Sequence, residues 1–363
     1  DTSHAYTEIT TGLPTDTPSH IAMHRSRMWL LYMSSLLYSD VGNPAGFTDW
    51  PALSGEIALK ANGTAITPTV GGSLASFARN QVTLLDGTGS ESTLKSENLT
   101  DHGNRIGAYS RTVEQMGGRT LFLDDQGVTE LRAVQAHGDF RDATISGAVY
   151  PTILNKRGTA TTSCVVRGKN QYRLFYSDGT GLIFSMHSDK LLGVTKMSFP
   201  IVVHKAWSGE DSNGDELILF GSTDGFIYQM ESGNSFDGAN ISASLVTSFT
   251  PCRFPRTVKR FKRAWFDIAG TGPTTLNAKP LFKLDGSPAL DPVTLGINSS
   301  TSYLGQAILA QAILGAQQIQ EGRIDMPGSC DYIAMQITSA TNAGVPWELD
   351  GLGYEFDLGK PRR

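Results

Sequence analysis

The sequence predicts an all-β protein, a propeller-like array of four-stranded blades followed by a β-sandwich-like domain. Three observations predict it. Glycine and proline, 39 and 16 of the 363 residues, interrupt the chain every few positions and leave no stretch for a long amphipathic helix. Between them lie short apolar runs rich in Val, Ile, Tyr, Phe and Trp, bounded by Gly, Asp, Asn and Ser, the pattern of many antiparallel strands. Finally, one hairpin-like unit recurs along the first two thirds of the chain.

The units read Val82-Thr83-Leu84-Leu85-Asp86-Gly87, Thr120-Leu121-Phe122-Leu123-Asp124-Asp125-Gln126-Gly127-Val128, Leu174-Phe175-Tyr176-Ser177-Asp178-Gly179 and Leu219-Phe220-Gly221-Ser222-Thr223-Asp224-Gly225-Phe226-Ile227-Tyr228. Glycine accepts a positive φ in such turns, and the preceding aspartate bonds the turn backbone. Gly87, Gly127, Gly179 and Gly225 are separated by 40, 52 and 46 residues. A four-stranded blade takes about 40 to 50 residues, so the spacing is that of blades around a ring, an arrangement that protects most strand edges. The same turns would suit another β-sandwich; the spacing favours blades.

Residues 1–19 are expected to be an N-terminal arm or the remnant of a longer N-terminal region, since the chain opens at Asp1 and carries no secretory pattern. Residues 20–238 form the array. It opens with a hairpin from His24 to Asp40, in which Met28 to Tyr32 and Leu36 to Tyr38 flank a turn at Ser34-Ser35. After Phe236-Asp237-Gly238 the strands lengthen, at Ile241 to Phe249, Ala264 to Ala269, Tyr332 to Thr338 and Leu352 to Leu358, so residues 239–363 read as a sandwich-like assembly domain. Parity places Ala264, Phe266 and Ile268 on its buried face. Near 304–318, Gln306-Ala307-Ile308-Leu309 recurs as Gln311-Ala312-Ile313-Leu314. A period of five fits neither helix nor strand; a short helix and an extended apolar arm that packs on a neighbour, through Ile308, Leu309, Ile313 and Leu314, both suit it.

Composition narrows the function. A formal net charge of -5 argues against wholesale electrostatic binding of nucleic acid. No apolar run approaches the roughly 18 residues of a spanning helix. Cys164, Cys252 and Cys330 are distant and odd in number, as free thiols would be, and no zinc spacing is present. The seven histidines form no ligand pair, and Asp211-Ser212-Asn213-Gly214-Asp215-Glu216 lacks the glycine and glutamate of a calcium loop, so it reads as a polar hairpin turn. No metal, cofactor or catalytic residue is expected. Ser177-Asp178-Gly179-Thr180 and Ser222-Thr223-Asp224-Gly225 are similar to fragments of the sialidase aspartate box without its full spacing or aromatic partner.

One charge cluster stands out: Arg253, Arg256, Lys259, Arg260, Lys262 and Arg263, interleaved with Phe254 and Phe261. Cations beside rings suit a nucleic-acid patch. Its place on the approach to a strand in an acidic chain favours an assembly contact instead.

The order of motifs carries a resemblance. His24-Arg25-Ser26-Arg27-Met28-Trp29, then Leu37-Tyr38-Ser39-Asp40-Val41-Gly42-Asn43-Pro44 with Phe47, then Phe220 to Met230, Ser235-Phe236-Asp237-Gly238 and Lys259-Arg260-Phe261 resembles the tail nozzle (tail tube B or hub) proteins of short-tailed bacteriophages. The resemblance runs from about residue 20 to the end of the chain. It implies a non-enzymatic structural protein of the virion, made in the host bacterial cytoplasm. Its partners would be further copies in a ring of six, the portal and adaptor, other tail proteins including fibres or spikes, and the DNA that passes through on ejection. The alternative is a propeller enzyme or lectin acting on bacterial surface glycans, for which a pocket at the propeller axis with convergent carboxylates and arginines would be the mark.

Overall fold

The computed structural model describes residues 17–45, 55–69, 72–86, 95–98, 106–134, 139–187, 190–270, 274–282, 291–297, 319–339 and 346–361. The chain divides into two compact units, Asp1–Glu231 and Ser232–Arg363, so the division falls ahead of Phe236-Asp237-Gly238 rather than after it.

The first unit is an array of five antiparallel sheets in chain order. Blade 1 holds β1 (His20–His24), β2 (Arg27–Tyr32), β3 (Ser35–Tyr38) and β4 (Gly55–Ala58). Blade 2 holds β5 (Gly63–Pro68), β6 (Leu74–Ala78), β7 (Gln81–Asp86) and β8 (Lys95–Asn98). Blade 3 holds β9 (Glu114–Met116), β10 (Arg119–Asp124), β11 (Gly127–Val134) and β12 (Asp139–Thr144). Blade 4 holds β13 (Ala160–Val166), β14 (Gln171–Tyr176), β15 (Thr180–His187) and β16 (Lys190–Ser198). Blade 5 has three strands where four are expected: β17 (Lys205–Glu210), β18 (Glu216–Gly221) and β19 (Ile227–Gln229). Between blades 3 and 4 the chain forms a helix, α1 (Tyr150–Lys156), which the strand pattern does not announce. Proline in its first turn suits helix entry, and Ile153 anchors it in the core.

Packing explains why so many strands are apolar on both faces. Blades 2, 3 and 4 are each covered on both sides by a neighbour, so alternate residues of one strand enter different cores. In β14, Tyr172, Leu174 and Tyr176 join the cluster shared with blade 3, while Phe175 joins the one shared with blade 5. In β10, Phe122 faces blade 2 and Leu121 and Leu123 face blade 4. In β2, Trp29 and Leu31 face blade 2, and Leu30 and Tyr32 line the opposite face. Burying a side chain of this size contributes about 1.5–3 kcal/mol, so the four inter-blade clusters hold the array together.

The first hairpin pairs Tyr32 with Ser35, which moves its turn from Ser34-Ser35 to Met33-Ser34. Gly179 and Gly225 occupy the turn between the second and third strands of blades 4 and 5, and Gly127 opens the third strand of blade 3 directly after the equivalent turn, all at positive φ. Val82 to Asp86 belongs to the third strand of blade 2, so the first unit of the repeat marks a different turn. Gly87 itself lies outside the described residues.

The second unit pairs two sheets. One has the order β20 (Ser244–Val246), β25 (Ile333–Ser339), β22 (Thr274–Phe282), β23 (Val293–Ile297); the other has β24 (Ile319–Cys330), β21 (Thr257–Gly270), β26 (Trp347–Pro361). Ala264, Phe266 and Ile268 of β21 meet Leu276 and Ala278 of β22 and Met335 and Ile337 of β25 in one core, the sandwich-like arrangement expected. The strand expected over Ile241 to Phe249 contracts to Ser244–Val246, because beyond it single bonds, Thr247 N–H to Met335 O and Ser339 N–H to Ala243 O, replace the ladder.

Candidate functional site

The first strands of the blades lie next to one another, and three of them begin with an ionisable residue: His20 in β1, Glu114 in β9 and Lys205 in β17. Hydrogen bonds between blades fix these starts. Ser163 of β13 donates its N–H to Arg111 O at 2.9 Å, Tyr172 donates its hydroxyl to Thr112 O at 2.8 Å, and Thr161 donates to Val203 O at 2.6 Å. Gln115 Nε2 reaches Thr67 Oγ1 of blade 2 at 3.2 Å.

Between β9, β13 and β17 opens a cleft of about 300 Å3. Glu114 lies in it, half-buried, and accepts a hydrogen bond from Ser163 Oγ at 3.1 Å. Burial pushes its carboxyl up to about 7, against the opposing pull of the Ser163 hydroxyl and of Lys205. Lys205 is held below the usual lysine range by partial loss of water and by Arg111, with Glu114 pulling the other way. His20 is lowered by burial and then by Lys205 and Arg111, so these groups of blades 1, 3 and 5 share one field. Trp207, two residues beyond Lys205 in β17, also lines the cleft and remains 52% exposed. Cys164 is buried beside it, and burial together with Glu114 drives its thiol up to about 12, which removes it as a nucleophile at neutral pH.

Chemically the cleft offers one carboxyl group able to exchange a proton near neutrality, a cation and an aromatic platform. Glu216, which hydrogen-bonds at the cleft's rim, is committed: it accepts from the backbone N–H groups of Arg167 and Gly168 at 2.5 and 2.9 Å and from Ser208 Oγ at 3.3 Å. Among the described residues Glu216 is thus held by its own partners rather than by Glu114. No group of three or more His, Cys, Asp or Glu able to hold a metal occurs among the described residues.

The basic cluster sits elsewhere, in the second unit. Lys259 is fully buried, its Nζ donating to the carbonyls of Phe254, Thr257 and Asp331 at 2.6, 2.9 and 2.7 Å. Lys262 pairs with Asp357 at 2.9 Å, and Arg263 with Asp325 and Glu355 at 3.4 and 3.5 Å. Arg253, Arg256 and Arg260 are exposed. Ile308, Leu309, Ile313 and Leu314 lie outside the described residues. Asp211-Ser212-Asn213-Gly214 is a hairpin turn between β17 and β18, in which Asp211 accepts from the N–H groups of Asn213 and Asp215 at 2.8 and 2.9 Å.

Sequence reasoning missed the cleft. Glu114 and Lys205 are far apart in the chain and belong to no motif; their shared signal is positional, each opening the first strand of its blade.

No family model and no curated protein matches the chain. Among solved structures it is similar to a chain from the crystal structure of a mitotic checkpoint complex, at 14% identity and a TM-score of 0.38, over 58% of this chain and 63% of that one. It is also similar to PorZ, an essential bacterial surface component of the type-IX secretion system of Porphyromonas gingivalis, at 15% identity and a TM-score of 0.39, over 60% of this chain and 27% of that one. The chain thus spans less than two thirds of either.

Proposed function

We propose that this chain is a structural protein of a bacteriophage tail, one protomer of a nozzle ring below the portal and adaptor that conducts DNA during ejection. The ordered motifs that resemble tail nozzles motivate the reading. The observation that carries it is the second unit's sheet β20-β25-β22-β23, which ends in β20 on one side and β23 on the other, with no further strand paired to either among the described residues. β20 exposes Leu245 and Val246, the latter 54% accessible, flanked by exposed Ile241, Phe249 and Phe254, and β23 exposes Val293. Two unlike open edges on one sheet suit heterologous, head-to-tail joining of copies, and such contacts close into rings when the rotation permits. Exposed apolar edges are otherwise a liability that soluble proteins blunt.

Sedimentation and electron micrographs of the purified chain test this. The parent should form a discrete ring, and Val246→Lys, which sets a charge in the edge strand, should give a folded monomer with the parent's circular dichroism. A parent that stays monomeric at its highest soluble concentration overturns the reading. Its non-enzymatic part fails if bacterial surface polysaccharides are turned over many times and Glu114→Gln abolishes that turnover.

A further inference from the structure

The ring reading leaves the cleft of the first unit without a task, and its geometry is that of a binding site. Lys205, Trp207 and Gly209 follow one another at alternate positions of β17 and so share a face. A Cβ at position 209 would lie 2.2 Å from Cη2 and Cζ2 of Trp207, so the indole is laid across the bare glycine backbone. That packing supports one side of the ring while the residue stays half exposed, an expensive way to leave a large aromatic group in water. Beside it in the cleft stands Glu114, with one oxygen engaged by Ser163. Lys205 supplies a cation, and Arg111 reinforces the positive field.

We propose that this cleft binds an acidic saccharide, a uronic acid residue of a longer glycan, stacked on Trp207, with a hydroxyl on Glu114 and its carboxylate on Lys205. Sugars fit this set because their C–H faces are apolar and their hydroxyls both donate and accept, so a Glu114 oxygen can accept a hydrogen bond from one of them. A stacked nucleotide would share the platform and the lysine, and the oligothymidylate arm of the test separates it from a saccharide. With Glu216 committed to its backbone donors, the site holds its ligand without cleaving it. The volume, about 300 Å3, is at the small end for ligand sites and suits one sugar ring with the chain continuing into solvent.

The proposal does not depend on the ring reading, since it concerns one chain. Calorimetric titration of the purified protein with a galacturonic acid oligosaccharide, its uncharged methyl ester and a single-stranded oligothymidylate tests it. The acid oligosaccharide should bind, and the ester and Lys205→Gln should each cost about tenfold in affinity. Lys205→Arg should retain binding, and Trp207→Ala should abolish it without moving the melting temperature, because the ring is exposed. Absence of binding by the acid oligosaccharide, equal affinity for the ester, or binding that survives Trp207→Ala overturns the proposal. Oligothymidylate binding that Trp207→Ala removes, without saccharide binding, makes the cleft a nucleic-acid platform and overturns it as well.

Discussion

At the scale of single residues, Glu114 converts a packing choice into a pH response. Its carboxyl is raised from 4.5 to about 7 in the folded chain because β9 carries it into the cleft between blades, where the charged form loses water. The folded state then binds the proton more tightly than the unfolded state, so stability falls as pH rises between those two values. The cost is fully expressed above the folded value and vanishes below the unfolded one. Glu114→Gln keeps the shape and removes the ionisation. The variant should melt with the parent near pH 4 and above it at pH 8, by on the order of 1–3 kcal/mol; melting curves at the two pH values check this. Nothing local in Arg111-Thr112-Val113-Glu114 distinguishes this carboxylate from a surface one. Its character comes from burial in a cleft that the fold closes with strands of two other blades, against the opposing pull of Ser163 and Lys205, and for that reason the site was illegible in the sequence.

Elements were more legible, because turns are encoded locally. Asp-Gly and Gln-Gly pairs mark the places where φ turns positive, and the structure puts Gly179 and Gly225 in the same turn of successive blades and Gly127 directly after its counterpart in blade 3. The intervals of 52 and 46 residues between them are therefore true blade repeats. Blade 2 makes the equivalent turn with Arg79-Asn80, without glycine, so the repeat could not be traced back to the start of the chain by glycine alone. Blade 5's third strand is short, and no fourth strand follows it among the described residues; nothing in Ser222-Thr223-Asp224-Gly225 foretold that, since the turn precedes the strands at issue. At Gly179, φ is +76° and a Cβ would stand 2.9 Å from the carbonyl oxygen of Phe199. That carbonyl belongs to backbone, which cannot swing aside as a side chain can. Gly179→Val should lower stability by about 1–3 kcal/mol, as read by urea denaturation, and a neutral result would mean that the turn relaxes.

On the scale of the whole molecule, the basic run shows how one stretch of sequence can serve two purposes. The sequence placed Arg253 to Arg263 on the approach to a strand at 264–269, whereas the strand begins at Thr257 and takes in Lys259 to Arg263; the sequence could not say which of these cations face inward. The answer follows from the long β21, in which Lys259 opposes Cys330 and Leu358 and sends its ammonium to three carbonyls, of which Phe254 O also accepts from Thr257 N–H at 3.3 Å. Lys259→Met would strip the carbonyls of Thr257 and Asp331 of this donor and leave Phe254 O only its longer bond from Thr257 N–H, and should cost about 2–4 kcal/mol in a thermal melt, since buried groups that lose a partner carry a desolvation penalty. Lys262 and Arg263 are already paired with acidic side chains of β24 and β26, exposed contacts of small individual worth. The remaining three arginines are the ones free to meet a partner. A conduit must let many phosphates slide past, and each cation that neutralises a phosphate tightens binding by releasing counterions, so a basic lining would brake ejection. Under the ring proposal Arg253, Arg256 and Arg260 therefore face acidic surface on a neighbouring copy. Their joint change to Gln should leave the melting temperature unchanged and weaken ring assembly, with the parent's assembly itself loosening as salt rises and screens the contact. DNA affinity, measured by fluorescence anisotropy, should be weak in parent and variant alike. If the triple variant assembles like the parent and loses a salt-dependent DNA affinity that the parent possesses, the exposed arginines are a nucleic-acid contact, and the run guides the genome rather than joining protomers.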